Sequence, residues 1–395
     1  MNKIVLRGNV VLPDRVIPQG FVSIEGEKIT EVYDQEGMID RDGVEFMDYG
    51  DSFIAPGLID LHLHGALGKD VMDCQEDSLK QIAVHQARYG VTGFLGSTMS
   101  ASLDSVIRAV EAIKRVSKQP LPSNILGVHV EGPFLSRDRK GAQDSDYLKG
   151  MESADINQLT EAVQGMKSII SLAPEVNENM RFISLLKENG FIVAIGHTDA
   201  IYEQALESFK RGITHATHLF NAMSGFNHRE PGVVGAVLDS EEVTAELIAD
   251  GVHLHPAALR LALAKKGAEK LCLVTDSLKA SGVGDGVYRW GNLEIEVKGL
   301  RATIKDTDIL AGSVLTLNRA VKNMIEWTGI SVSQAINMAS LNPARVLGLE
   351  KEIGSIQSGK NADLGIFDHE FGVLETILQG RFVSKVFKEV LRRES

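Results

Sequence analysis

The chain has 395 residues, 44% of them hydrophobic and 24% charged, a balance typical of a globular protein with one large core. Its formal net charge of −12 argues against nucleic acid as a partner, because binding to a phosphate backbone needs a basic surface. No apolar run approaches the roughly 20 residues of a membrane span, and two cysteines are too few for a disulfide framework; we therefore expect a cytoplasmic protein without a membrane partner.

The first fifty residues predict an all-β start. Residues 4–12 and 21–32 have strand character, and Glu25 to Glu27 predict a hairpin turn within the second run. Residues 1–11 lack the long apolar stretch of a signal peptide, so we interpret them as the first strand.

From Phe53 onward, short apolar runs alternate with helical stretches, which predicts repeated βα units and a parallel sheet. The strands are predicted to end near eight positions: His64, Thr98, Glu131, Ala173, His197, His218, Asp250 and Asp276. Helical periodicity covers residues 78–89, 103–116, 180–189, 202–211 and 256–266. Eight such units are what a closed barrel requires.

The last third of the chain leaves this pattern. A polar, glycine-rich insertion at 290–309 predicts a hairpin or lid, and helices are expected at 314–327 and 333–347. Strand character returns at 353–367 and 382–387. The predicted fold is a (β/α)8 TIM barrel at 53–354, with a small β-sandwich domain formed by 1–52 and 355–395.

The strongest local signal for chemistry is the His62-Leu63-His64 tripeptide. Residues two apart in a strand point to the same face, so both imidazoles face the barrel interior. A pair at the C-terminal end of a barrel strand suits a divalent metal, but it equally suits two histidines with an ordinary packing role.

Other predicted strand ends strengthen the metal interpretation. Glu131, His197, His218 and Asp276 each end an apolar run, where a buried ionisable group is costly unless it is paired or metal-bound. Histidine and carboxylate side chains are the nitrogen and oxygen ligands of zinc and ferrous iron. The set therefore predicts a metal site at the mouth of the barrel.

The ordered motifs resemble a known group. PGLIDLHLHG and GSIQSGKNADLGIFD are similar to the amidohydrolase superfamily, and HVEGPF, GHTDA, HLFNAM, REPGVVGA, ADGVH, LVTDS and LAGS resemble its N-acetylglucosamine-6-phosphate deacetylases. The resemblance covers essentially the whole chain. It implies hydrolysis of N-acetyl-D-glucosamine 6-phosphate to glucosamine 6-phosphate and acetate.

The resemblance also implies roles for the candidate ligands. Glu131, His197 and His218 match the core metal site, and His62 and His64 match a second site that some relatives lose. The intact set is compatible with a binuclear centre bridged by Glu131 and a hydroxide, and the resemblance implies one or two ions of Zn²⁺, Fe²⁺ or Mn²⁺ per subunit.

The same motifs imply which residues act on the substrate. Asp276 matches the catalytic acid and base, which takes a proton from water and passes it to the departing amine. Gln143 stands where many relatives have a histidine that helps the oxyanion, so its contribution is open. Arg229 and His253 match the phosphate-binding positions, and in relatives the arginine can act across a homodimer interface. Positions that match sugar-binding residues are Ala142, Asn221, Ala222, Leu310, Ala311 and Gly312.

Three further histidines are interpreted as structural. His85 lies among apolar residues of a predicted helix and is expected to be a packing or surface residue. His129 shares the face of Glu131 one layer deeper, where it could support a ligand. His215 lies an odd number of positions from His218 and is expected to face the outer helices.

Two kinds of alternative remain. One is another substrate on the same machinery: N-acetylgalactosamine 6-phosphate, a cyclic amide or a deamination. Relatives with the last two activities commonly use a carboxylated lysine on the fourth strand, but 168–173 contain none beyond Lys167. The other alternative is an inactive barrel kept as a scaffold, which the complete set of ligands argues against.

Overall fold

The computed structural model describes residues 3–35 and 43–384. Four strands form the N-terminal part of a mainly antiparallel sheet: β1 (Lys3–Val11), β2 (Val16–Glu25), β3 (Lys28–Tyr33) and β4 (Val44–Pro56). The predicted turn at Glu25 to Glu27 joins β2 to β3. Leu6, Val22 and Ile54 lie in the apolar core of this sheet.

Eight parallel strands follow and pair in chain order: β5 (Leu58–Leu63), β8 (Val91–Ser97), β9 (Asn124–Glu131), β10 (Lys167–Leu172), β11 (Ile192–Ile195), β12 (Ile213–Ala216), β13 (Thr244–Leu247) and β14 (Leu271–Leu273). The short hairpin β6 (Gly65–Ala66) and β7 (Lys69–Asp70) follows β5. The ring closes where a parallel bridge joins Leu63 to Ser277, beyond the end of β14.

Ten helices are found in the described part of the chain: α1 (Glu76–Arg88), α2 (Leu103–Val116), α3 (Ser153–Val163), α4 (Asn179–Glu188), α5 (Tyr202–Arg211), α6 (Gly232–Asp239), α7 (Pro256–Lys266), α8 (Leu317–Thr328), α9 (Val332–Met338) and α10 (Leu341–Val346). In α2, Val106, Ala109, Val110 and Ile113 are buried, which is the helical spacing that packs one face against a sheet. Within the described ranges, no helix combines the length and the apolarity that crossing a membrane would need.

The insertion forms a separate three-stranded antiparallel sheet, β15 (Gly286–Trp290), β16 (Leu293–Lys298) and β17 (Arg301–Ile304). We call these strands the lid sheet. The chain then returns to the first sheet through β18 (Leu364–Phe367), β19 (Val373–Leu378) and β20 (Arg381–Phe382). The resulting seven-stranded order is β20-β19-β18-β4-β1-β2-β3, so both ends of the chain share one sheet.

The predicted fold class, a (β/α)8 barrel with a second, small β domain, is confirmed. Several local predictions were wrong. Residues 353–363 form turns instead of a strand, the strand β19 and the helices α3 and α6 were missed, and the predicted helix 333–347 is two helices. The break follows from Pro343, whose ring would clash with the carbonyl of Ala339 in a continuous helix. Of the predicted last strand, 382–387, only Phe382 lies in a strand; residues 383 and 384 are helical, and 385–387 lie outside the described residues.

Candidate active site

Six potential ligands meet at the C-terminal mouth of the barrel. His62 lies in β5 and His64 directly after it, and Glu131 is the last residue of β9. His197, His218 and Asp276 lie two or three residues beyond their strands, with φ values of 46°, 29° and 49°. Residues other than glycine rarely adopt this left-handed backbone conformation. The backbone strain that it carries tends to occur at functional sites.

Glu131, His197 and His218 form the first of two ligand sets at the mouth of the barrel. Glu131 Oε1 lies 3.3 Å from His197 Nε2 and 3.1 Å from His218 Nε2. The two histidine Nε2 atoms are 3.1 Å apart. His197 Nδ1 lies 2.9 Å from the carbonyl oxygen of Arg139, which can only accept, so Nδ1 donates and Nε2 keeps a lone pair for a metal.

His62, His64 and Asp276 form the second set. His64 Nε2 is 3.2 Å from Asp276 Oδ1 and 3.3 Å from Glu131 Oε2, so Glu131 touches both sets. His62 Nε2 lies 3.6 Å from Asp276 Oδ1 and 3.5 Å from Glu131 Oε1, and it has no hydrogen-bond partner. Both sets keep their ligand atoms within 4.8 Å of one another and are buried.

The charges of the site fit a divalent cation. Burial opposes ionisation of Glu131, yet the imidazoles of His62, His197 and His218 hold the pKa of Glu131 well below 4.5. Burial likewise opposes a charge on His62, but the carboxylates around it raise its pKa well above 6.5. The buried carboxylates are therefore stabilised by positive charge close to them. The Nε2 atom of His62, which has no hydrogen-bond partner, lies beside them as a potential metal ligand. These residues are able to hold a divalent metal.

Asp276 is a buried carboxylate beside this centre. Burial raises its pKa, but the imidazoles of His62 and His64 outweigh that effect and lower it below 3.8. The carboxylate is therefore ionised at neutral pH, the form in which it can accept a proton. It lines a cavity above the ligands, so a small molecule can reach it.

A layer of polar groups lies beneath the ligands, and sequence reasoning missed its central member, Glu246 of β13. The Glu246 carboxylate lies 3.0 Å from His62 Nδ1 and 3.1 Å from His215 Nε2. The prediction that His215 faces the outer helices was therefore wrong. His129 was placed correctly in this layer, with Nε2 2.7 Å from Ser171 Oγ and its ring 4.4 Å from that of His62.

Gln143 is fixed by two hydrogen bonds. Its side-chain oxygen accepts from the backbone N–H of Ser100 at 2.7 Å, and its Nε2 donates to Glu131 Oε2 at 2.7 Å. These bonds distinguish the amide oxygen from the nitrogen. Because the amide nitrogen carries two hydrogens, one remains for another acceptor in the site.

A cavity of about 570 Å³ opens above the ligands. Its lining includes most of the predicted substrate-binding residues: Ala142, Gln143, Asn221, Ala222, His253, Leu310 and Gly312. Ala311 is fully buried and Arg229 is exposed; neither lines the cavity. A second cavity of about 680 Å³, beside Lys167 and Asp363, lies at the other end of the strands and touches none of the potential metal clusters of the described residues.

Several basic side chains line the cavity above the ligands. His253 is held by Asp250, whose Oδ2 lies 2.7 Å from Nδ1, so Nε2 is left for another contact. Arg137, Arg139 and Lys140 also line the cavity, and none of the three was predicted from the sequence. Arg139 is paired with Asp199, whereas the ammonium of half-buried Lys140 has no hydrogen-bond or ion-pair partner among the described residues.

Trp290 connects the lid sheet to the ligands. Its Nε1 donates to Asp70 Oδ2 at 2.9 Å, and its ring lies edge-on to His64 with centroids 5.4 Å apart. Trp290 is buried and lines the cavity, so the lid sheet supplies one of its walls.

Comparison with known proteins places this geometry in a family. Residues 53–387 match the model of the Amidohydrolase family. The chain belongs to the amidohydrolase family. Among relatives, an N-acetylglucosamine-6-phosphate deacetylase of Bacillus subtilis (strain 168) is 37% identical over 382 residues, which cover 95% of this chain and 96% of that protein.

Two other amidohydrolases are similarly close. An N-acetylgalactosamine-6-phosphate deacetylase of Escherichia coli O157:H7 is 37% identical over 84% of this chain and 88% of that protein. A solved structure of an N-acetyl-D-glucosamine-6-phosphate deacetylase mutant from Mycobacterium smegmatis, in complex with N-acetyl-D-glucosamine-6-phosphate, superposes with a TM-score of 0.92. That chain is 30% identical, and the match covers 97% of this chain and all of that one.

Proposed function

We propose that this amidohydrolase converts N-acetyl-D-glucosamine 6-phosphate and water to D-glucosamine 6-phosphate and acetate. The observation that carries the proposal is the convergence of Glu131, His197 and His218 with the ionised Asp276 in one cavity. Several relatives at 34–37% identity are named for this activity and are matched over most of their length.

In the proposed active enzyme, Glu131, His197 and His218 hold one divalent ion, and His62, His64 and Asp276 hold a second. Zn²⁺, Fe²⁺ and Mn²⁺ all suit these ligands. A bound ion supplies Lewis acidity, which lowers the pKa of water toward about 7 and polarises a carbonyl oxygen.

Asp276 is assigned the proton transfers. Its carboxylate accepts a proton from the water that attacks the acetyl carbon, and it later delivers this proton to the amide nitrogen, which leaves as an amine. Delivery matters because an amine is a poor leaving group until its nitrogen is protonated. Gln143 is assigned to the acetyl oxygen, since its amide keeps one N–H free beside Glu131.

The sugar and its phosphate are assigned to the remaining cavity. Ala142, Asn221, Ala222, Leu310, Ala311 and Gly312 are proposed to position the sugar. His253 is proposed to bind phosphate through Nε2 while Asp250 holds Nδ1. Lys140 is a second candidate cation for this phosphate. Charge-assisted hydrogen bonds of this type contribute roughly 1.5 to 3 kcal/mol each.

The remaining assignments concern assembly and location. Arg229 is exposed and outside the cavity of its own chain, which supports a homodimer in which it reaches the partner's phosphate. The pairing of β4 with β18 supports a small domain of 1–52 and 355–395 beside a catalytic domain of 53–354. A cytoplasmic location is proposed from the composition.

Acetate release from the purified, metal-loaded protein tests the proposal. We expect turnover of N-acetylglucosamine 6-phosphate to exceed that of N-acetylgalactosamine 6-phosphate and of unphosphorylated N-acetylglucosamine. A higher kcat/KM for N-acetylgalactosamine 6-phosphate would favour the alternative function, for which the Escherichia coli relative is named. If none of the three compounds yielded acetate, the proposed activity would be wrong, and a role in binding would remain.

A further inference from the structure

Glu246 lies fully buried in β13 and has a nitrogen partner at each carboxylate oxygen. Oε2 accepts the backbone N–H of His218 at 3.0 Å and lies 3.0 Å from His62 Nδ1. Oε1 lies 3.1 Å from His215 Nε2. His215 is itself held by Thr244, whose Oγ1 is 2.7 Å from Nδ1. The buried carboxylate of Glu246 is therefore held by both main-chain and side-chain contacts.

These contacts determine which ring nitrogen of His62 carries the proton. A backbone N–H can only donate, so Oε2 acts as an acceptor toward His218. The same oxygen faces His62 Nδ1 at 3.0 Å, and a stable contact there requires a proton on Nδ1. His62 therefore presents Nε2 to the mouth of the barrel, which is the atom left without a hydrogen-bond partner near Glu131 and Asp276.

We propose that Glu246 is a positioning residue, which holds His62 in the tautomer that binds a metal through Nε2 and so sets the affinity of the second ion. This proposal rests on the metal-dependent hydrolase proposed above. The effect is specific to the second ligand set, because Glu246 contacts the ring of His62 but only the backbone of His218. Carboxylates that orient a metal-binding histidine in this way typically change metal affinity by roughly 10- to 100-fold.

Glu246→Gln is the sharpest change. The amide is neutral and has an oxygen in the place of only one carboxylate oxygen, so His62 Nδ1 loses its charge-assisted acceptor in either orientation of the amide. Where the amide nitrogen takes the place of Oε2, an N–H faces His62 Nδ1, and the ring can turn or move its proton to Nε2. Glu242→Gln is the matched control, since it makes the same substitution at an exposed position just before the same strand.

The test measures zinc binding without any substrate. Metal-stripped protein is titrated with Zn²⁺ against a chelator of known affinity, and bound zinc is counted by elemental analysis. We expect two ions in the wild type and in Glu242→Gln. In Glu246→Gln, one ion should bind as before and the other roughly 10- to 100-fold more weakly. Two ions of unchanged affinity in Glu246→Gln, equal weakening of both, or a wild type that binds one ion overturns the proposal.

A second measurement keeps the proposal testable if Glu246→Gln does not fold. In zinc-loaded wild type with ¹⁵N-labelled histidine, the His62 ring is assigned by its loss in His62→Asn. We expect a proton on Nδ1 that exchanges slowly with water and a metal-bound Nε2. A proton on Nε2 overturns the proposal. Acetate release is recorded separately: two bound ions without turnover would count against the proposed function and leave the role of Glu246 standing.

Discussion

The backbone N–H of Asp276 donates to the carbonyl oxygen of His62 at 2.8 Å. This bond belongs to the seam that closes the barrel, where the chain beyond β14 pairs with β5. The same seam brings Asp276 Oδ1 to 3.2 Å from His64 Nε2. The proposed proton carrier and a proposed pair of metal ligands are therefore held in register by the main chain, and their spacing does not depend on a flexible loop.

Asp276→Asn tests the proton transfers. The amide keeps the size of the side chain but cannot accept a proton, so we expect acetate release to fall at least about 100-fold, within the range of general acid–base catalysis. The ion held by Glu131, His197 and His218 should remain, which elemental analysis of the purified variant checks. Turnover near the wild-type rate would remove Asp276 from this role.

Gln143→Glu tests the amide beside Glu131. The new carboxylate can still accept the Ser100 N–H, so we expect the fold to survive. Its other oxygen would face Glu131 Oε2, where the amide now donates at 2.7 Å, and the free N–H is lost. Loss of one such donor costs about 100-fold in kcat. Gln143→His, which restores a donor, should retain activity; if both variants match the wild type, the assignment is wrong.

Much of the site was predictable because a closed barrel imposes a simple rule. Ligands that end parallel strands must face one mouth, so His62, Glu131 and their partners could be grouped without knowing any contact. Helices with clear periodicity were equally accessible: the predicted bounds of α2, α5 and α7 match the structure. Helix α6 was missed because all but one of its residues are apolar or glycine, which leaves no amphipathic pattern.

The features of the site that could not be predicted depend on contacts between residues far apart in the chain. Glu246 is a single acid between Ala245 and Leu247, a weak signal until the strands around it place His62 and His215 against it. The error for His215 arose from counting residues to His218 as if the strand continued. The strand ends at Ala216, and His218 has a left-handed φ. The rule that successive side chains of a strand point to opposite faces therefore does not apply to His218.

Lys140→Met tests phosphate recognition. It removes a charge that has no partner within the described residues, so we expect the fold to be unaffected. If the ammonium binds phosphate, kcat/KM for the phosphorylated sugar should fall roughly 10- to 100-fold, mostly through KM. Hydrolysis of unphosphorylated N-acetylglucosamine should not change. Lys118→Met, at an exposed position after α2, is the matched control. Equal losses on both sugars would argue for a general effect on the site.

His85 in α1 offers a test of acid stability away from the metal ligands. Burial lowers its pKa from 6.5 to about 4, and the charge of Arg88 adds to this effect. Below pH 6.5 the His85 ring binds a proton in the unfolded chain, whereas in the folded chain it binds one only below about pH 4. The free energy of unfolding therefore falls across this window as the pH is lowered, by about 2 kcal/mol between pH 7.5 and 5. We expect His85→Gln to lose that part of the pH dependence in urea unfolding, whereas the exposed His228→Gln should follow the wild type. Parallel pH profiles for wild type and His85→Gln would contradict the prediction.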